Sequence, residues 1–116
     1  MRHVLVIDDE KSISRMLYHA LTKYGYVVET AASGQEGIEK FDQGLVDLVI
    51  TDVLMPGVDG NHVARHIRNS SRRTTPIIGI SGTPWFLENG DFDIVLSKPF
   101  SIKPLIDMVE CLTTTS

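Results

Sequence analysis

Residues 47–57 read DLVITDVLMPG, and residues 4–10 read VLVIDDE. In both stretches an apolar, β-branched run stops at acid: Leu48-Val49-Ile50 leads to Asp52, and Val4 to Ile7 leads to Asp8, Asp9 and Glu10. Runs that are apolar throughout, without polar alternation, are strands covered on both faces, as in a parallel sheet. A buried strand that delivers charge to its end places that charge at a sheet edge. Two such strands in one sheet would bring three or more carboxylates to the same rim.

Reading outward from these strands, apolar runs alternate with helical periodicity. HVLVID (3–8) is a strand. Ile13, Leu17, Ala20, Leu21 and Tyr24 form one face of a helix over about 11–24, with Gly25 as its left-handed stop. YVVET (26–30) is a second strand. Ser33 and Glu36 have capping-box spacing, and the helix behind them buries Ile38 and Phe41 and ends near Gly44. Residues 45–51 are a third strand, and 61–69 a helix with Val63, Ala64 and Ile67 inward. PIIGIS (76–81) and DIVLS (93–97) are the fourth and fifth strands. Ser101 caps a last helix bearing Ile102, Leu105, Ile106, Val109 and Leu112 on one face, with Pro104 in its first turn. TTTS, residues 113–116, reads as a frayed tail. The alternation predicts a parallel α/β sheet covered on both faces, joined by right-handed crossovers. Ligands of such sheets bind beyond the C-terminal strand ends.

Bulk properties narrow the function. The 116 residues suit one domain, 1–116 with a core over about 3–112. Net charge is −4, from 11 Lys plus Arg against 15 Asp plus Glu, which gives no general attraction to nucleic acid or anionic membrane. The one basic cluster, RNSSRR (68–73), reads as a solvated loop. The lone Cys111 permits no internal disulfide and reads as a packing residue. There is no membrane-length apolar run and no signal-peptide pattern, so a cytoplasmic setting is expected. Asp59-Gly60 reads as a turn, Glu10 either as a more distant acid of the site or as simply exposed. His3, His19, His62 and His66 share no ligand spacing.

The predicted rim collects Asp8 and Asp9 from the first strand, Asp52 from the third, Ser81 from the fourth, and Lys98 with Pro99 from the fifth. A like-charge pair 4 Å apart costs roughly 4 kcal/mol at an effective dielectric of 20. Clustered carboxylates therefore need a cation or protons. An all-oxygen set favours Mg²⁺, with Mn²⁺ as a substitute. Lys98 suits a phosphoryl oxygen, Ser81 can donate to another, and a carboxylate can accept a phosphoryl group. The collection points to phosphoryl transfer onto Asp52.

From about His3 to Leu112 the chain resembles the receiver domain of two-component response regulators. The resemblance rests on IDDE (7–10), DVLMPGVDG (52–60), the hydroxyl of Ser81 and KPF (98–100), in order and at strand ends. It implies a five-stranded, doubly wound, flavodoxin-like parallel sheet of order 2-1-3-4-5. It implies that Asp52 is the phospho-acceptor, that Asp9 and Asp52 hold Mg²⁺ directly with Asp8 through water, and that the backbone carbonyl of Leu54 completes the ligands. It implies a phosphoryl contact for Lys98, a cis Lys98–Pro99 bond, and a switching role for Ser81. The partners implied are a sensor histidine kinase or phosphotransfer protein and an unidentified downstream protein. The implied chemistry is limited to self-phosphorylation and slow autodephosphorylation.

Two features depart from that pattern. The position three before the lysine, usually aromatic, is Val95. Phe92, Trp85 and Phe86 are nearby substitutes in sequence. Only 16 residues, 82–97, separate Ser81 from Lys98, so the fourth helix of the pattern should be truncated or absent, reduced to TPWFLENG (83–90). Trp85 and Phe86 should then pack over the sheet edge or offer a partner patch. These departures leave a degenerate receiver serving as a docking module as the main rival. A Mg²⁺-dependent aspartyl phosphatase is disfavoured because Leu54 stands where its general acid would be.

Overall fold

A computed structural model describes residues 2–82 and 90–114. The elements run β1 (His3–Ile7), α1 (Lys11–Lys23), β2 (Val27–Ala31), α2 (Gly34–Gln43), β3 (Leu48–Asp52), α3 (Gly60–Arg68), β4 (Ile77–Ser81), β5 (Ile94–Ser97) and α4 (Ile102–Thr114). The five strands form one parallel sheet in the order β2-β1-β3-β4-β5. This is the doubly wound, flavodoxin-like order expected. The segment proposed to hold the shortened fourth helix, with Trp85 and Phe86, lies outside the described residues.

Strand alternation sorts the core into two layers. Val4, Val6, Leu48, Ile50, Ile78 and Ile80 face Leu17 and Leu21 of α1 and Leu105, Ile106 and Val109 of α4. Leu5, Ile7, Val49 and Ile77 face Phe41 of α2 and Val63, Ala64 and Ile67 of α3. β1 and β3 are buried on both sides, so their residues are apolar over Val4–Ile7 and Leu48–Ile50, and the first polar side chain of β3, Thr51, turns its buried hydroxyl to the Asp52 carbonyl at 2.9 Å. That is why the carboxylates appear only at the strand ends.

The local signals act as expected at several points. Gly25 takes φ +93° after α1, a region that side-chain-bearing residues rarely adopt. The Ser33 hydroxyl accepts from Glu36 N–H at 3.1 Å, and Glu36 Oε1 accepts from Ala32 N–H at 2.7 Å. That hydrogen bond and the nearby Lys40 hold the Glu36 carboxyl below its ordinary pKa, against a small opposing effect of burial. Asp59, expected in a turn, is instead the N-cap of α3, accepting from His62 N–H at 3.0 Å. Gly60 follows it because α3 starts against the end of β3: a Cβ there would lie 2.5 Å from the Asp52 carbonyl oxygen and 2.7 Å from Val53 Cα.

Other expectations are corrected. Leu45 is 79% exposed and β3 begins only at Leu48, where pairing with Val4 starts. Tyr24 is exposed because α1 ends at Lys23, and Tyr26 is buried instead. Cys111 is exposed on α4 rather than packed. Thr113 and Thr114 are helical, with hydroxyls donating back to Val109 and Glu110 carbonyls at 2.7 Å.

The basic cluster is not a solvated loop. Arg68 donates to the carbonyls of Arg73 and Thr75, both at 2.7 Å, and pairs with Asp93 at 2.8 Å. Arg72 lies 4.3 Å over the Phe41 ring and donates to the Phe41 and Gly44 carbonyls, which closes the C-terminal end of α2.

Candidate functional site

β1, β3, β4 and β5 all run the same way, so their C-terminal ends share one rim. Asp8 follows β1, Asp52 ends β3, Ser81 ends β4, and Lys98 follows β5. The order change at β1, which is flanked by β2 and β3, opens the crevice where ligands of such sheets sit.

Asp52 is 4% exposed and Asp8 2%. Asp8 Oδ1 accepts the Glu10 N–H at 2.8 Å, whereas the buried Oδ2 has no hydrogen-bond partner. Lys98 Nζ reaches Asp52 Oδ2 at 3.3 Å and Glu10 Oε1 at 3.1 Å. Oxygens of Asp8, Glu10 and Asp52 lie within 4.8 Å of one another, forming the one such acidic group among the described residues.

Burial and mutual repulsion show in the titration of these groups. Desolvation, helped by the charges of Asp52 and Glu10, pushes the Asp8 carboxyl up to about 6, against the Glu10 N–H bond and Lys98. Desolvation also raises Asp52, with Asp9 adding to it, while Lys98 and the Leu54 backbone hydrogen bond oppose it. For Lys98, burial lowers the pKa, but the hydrogen bond to Glu10 and the charges of Asp52 and Asp8 prevail and raise it. One lysine thus does not balance the acids around it.

The residues fit a hard divalent cation. A buried carboxylate oxygen with no donor, facing two further carboxylates, is the donor set that Mg²⁺ or Mn²⁺ takes. The third member of the close group is Glu10 rather than Asp9. Asp9 is exposed on the same rim, near enough for its charge to act on Asp52. Leu54, 65% exposed, borders Asp52, and Ser81 is buried at the end of β4. The Lys98–Pro99 bond is cis.

Of the two sequence readings of Glu10, a more distant acid of the site or a simply exposed one, neither anticipates its direct contact with Lys98. The signal for it is its place directly after two acids at the start of α1, where a long side chain can turn back to the rim. Val95, opposite Gly79 in the β4–β5 register, is half-buried. The nearest described aromatic is Phe92: a Cβ on Gly79 would lie 2.8 Å from its Cδ1, and the ring belongs to the α2–α3 core layer.

This rim can be set beside known proteins. Residues 4–110 match the family described as the response regulator receiver domain. The chain belongs to that family. It is 38% identical over 109 residues to a probable transcriptional regulator, ycf27, of Cyanidium caldarium, covering 89% of this chain and 43% of that protein. The receiver chain therefore spans about half the length, or less, of such curated relatives. Among solved structures it is similar to the chemotaxis response regulator CheY4 of Vibrio cholerae, with TM-score 0.89 and 32% identity over 97% of this chain and 98% of that one. It is also similar to the response regulator TrrA of Thermotoga maritima in complex with Mg²⁺-BeF, with TM-score 0.88 and 35% identity over 97% and 99%. A receiver domain is the signal-accepting unit of two-component systems. Among the described residues no helix is long and apolar enough to cross a membrane.

Proposed function

We propose that this receiver, taken as one unit over 1–116, accepts a phosphoryl group on Asp52 from a phosphohistidine of a sensor kinase or phosphotransfer protein in the cytoplasm. The observation that carries the proposal is a buried carboxylate at the end of β3 whose Oδ2 already faces an ammonium at 3.3 Å, in a group of three acids that this one lysine does not balance. In the transfer an Asp52 oxygen forms the new bond to phosphorus and the donor's P–N bond breaks. The histidine nitrogen leaves with that electron pair.

Asp8 and Asp52, with Asp9 or Glu10 and the Leu54 carbonyl, would hold Mg²⁺, which supplies positive charge against the phosphoryl oxygens. Lys98 orients the Asp52 carboxylate and, once a phosphoryl group arrives, donates to it in exchange. Ser81, buried at the adjacent strand end, offers a hydroxyl to a second phosphoryl oxygen. The Thermotoga maritima relative, described with Mg²⁺ and BeF together, supports this reading. The test is mass spectrometry after acetyl phosphate treatment with Mg²⁺. Wild type should gain one phosphoryl group and Asp52→Asn none; a phosphate on both would place the acceptor elsewhere.

A second reading, a docking module without a switch, is favoured by Val95 standing where the family carries an aromatic. Amide NMR with beryllofluoride and Mg²⁺ separates the two. A shift that spreads from the rim into β4 and β5 supports the switch, and shifts confined to the rim support docking alone.

A further inference from the structure

A second concavity lies on the β2 side of the acidic rim. It is a groove of about 540 Å³ between α1 and the β2–α2 junction, within the ~300–1,000 Å³ typical of small-molecule sites. Its floor is the end of β2 at Thr30 and Ala31. One wall is a single stripe of α1, with Lys11, Arg15, Tyr18 and His19 at helical spacing. The other wall is Glu36 and Lys40 of α2.

The charges of the groove are unevenly satisfied. Glu36 is committed to Ala32 N–H at 2.7 Å and to Lys40 at 3.5 Å, and Lys40 also donates to the Thr30 carbonyl at 2.6 Å. Lys11 and Arg15, one turn apart and of like charge, have no acidic partner among the described residues. Two unpaired cations on one helical turn destabilise that turn, and the chain carries four more acids than bases with which to avoid the arrangement. Two turns beyond Lys11, and about one beyond Arg15, the chemistry of α1 changes. Tyr18 is 41% exposed, and its ring meets that of His19 edge-on at 5.5 Å. Seven residues separate Lys11 from Tyr18, about 10 Å along the helix at 1.5 Å per residue.

We propose that this groove binds a mononucleotide, its phosphate on Lys11 and Arg15 and its base against Tyr18 and His19. The two exposed cations favour an anion, and the planar guanidinium matches phosphate oxygens two at a time. A ligand that is only an anion would leave the aromatic half of the groove empty. A base has a π face for the exposed ring, and the spacing between the two halves suits a phosphate joined to a base through a sugar lying over Thr30. Asp8 lies at the inner end of the groove, so an occupant there would adjoin the acidic rim.

The test is a titration of the full chain with adenosine and guanosine monophosphate, followed by backbone-amide NMR and calorimetry. The arms are inorganic phosphate alone, adenosine alone, and the Arg15→Glu, Tyr18→Leu and Asp52→Asn variants. Saturable binding is expected, with shifts at Lys11, Arg15, Tyr18 and Thr30. Affinity should fall by roughly tenfold or more in Arg15→Glu and in Tyr18→Leu, and each half-ligand should bind more weakly. Asp52→Asn should still bind nucleotide saturably with shifts at the same groove residues, which separates this site from phosphoryl acceptance. Absence of saturation, phosphate binding as tightly as nucleotide, or unchanged affinity in the well-folded Arg15→Glu protein would overturn the proposal.

Discussion

Replacing Asp8 with Asn should make the metal-free protein more stable at neutral pH and leave it unchanged in acid. Asp8 is 2% exposed, one of its oxygens has no partner, and Asp52 and Glu10 crowd it. Its carboxyl is therefore lifted from the ordinary 3.8 to about 6 in the fold. Below the unfolded value the group is neutral in both states and contributes nothing. As pH rises towards 6 the unfolded chain releases the proton first, so stability falls, and the full penalty is present above the folded value. A gap of about two pH units at about 1.4 kcal/mol each caps the penalty near ~3 kcal/mol. Water and salt reach the open side of the rim, and that screening lowers the expected value to ~1–2 kcal/mol. Asn keeps the acceptor for Glu10 N–H and removes the charge. Urea denaturation in EDTA at pH 7.5 should therefore favour Asp8→Asn by about that amount, with a difference under ~0.5 kcal/mol at pH 4. Adding Mg²⁺ should stabilise wild type and largely spare the variant, because only a native state with the full acid set binds it tightly. An equal gain at both pH values would show that Asn helps by packing, and a loss at pH 7.5 would show that Asp8 is not under repulsion.

Lys98→Met should act in the opposite sense, since it strips the nearest cation from Asp52 and Glu10. The loss should be about 1–3 kcal/mol at pH 7.5 and shrink towards pH 4 as the acids take protons, read by the same denaturation series. Gly60→Ala should cost about 2 kcal/mol or more and slow phosphoryl uptake, because its Cβ would meet the Asp52 carbonyl oxygen at 2.5 Å and main chain cannot yield cheaply; thermal melting and a phosphorylation time course check the two halves. Arg72→Ala should lose about 1–2 kcal/mol by opening the end of α2 and removing the contact with Phe41, seen as faster amide exchange in the last turn of α2.

The parts of the fold legible in sequence are those set by local chemistry. Unbroken apolar runs marked β1, β3 and β4, and Ser33 with Glu36 marked the start of α2. The acids showed at strand ends because they are the first charged residues to follow the apolar runs of two doubly covered strands. Features set by tertiary register were not legible. Leu45 and Val46 extend the apolar character of β3 across Asp47, yet the strand starts at Leu48, where Val4 becomes available to pair. Tyr24 keeps the helical phase of Leu17 and Leu21, but α1 stops one residue earlier and Tyr26 fills the buried position. Arg72 caps carbonyls 28 and 31 residues away, a partnership no local pattern encodes. Glu10 was the miss within the site, since its role depends on the path of a long side chain towards Lys98.

The two halves of the rim explain each other. A fold selected for stability alone would not keep Asp8 and Asp52 buried on one rim with a single lysine, because burial raises the cost of ionising both and the Asp52 charge adds to it at Asp8. Full apolar cover on both faces of β1 and β3 keeps the strand ends in register despite that repulsion. The unmet demand for positive charge is then available to whatever binds. A cation would satisfy it, and the phosphoryl group proposed for Asp52 would draw on Lys98 in turn. A change of charge at Asp52 must therefore alter the hold of Lys98 on Glu10, 3.1 Å away at the start of α1. Through that lysine a change of charge on β3 reaches both β5 and α1, so a phosphoryl group on Asp52, as proposed, would not depend on an aromatic at position 95 to be felt elsewhere in the domain.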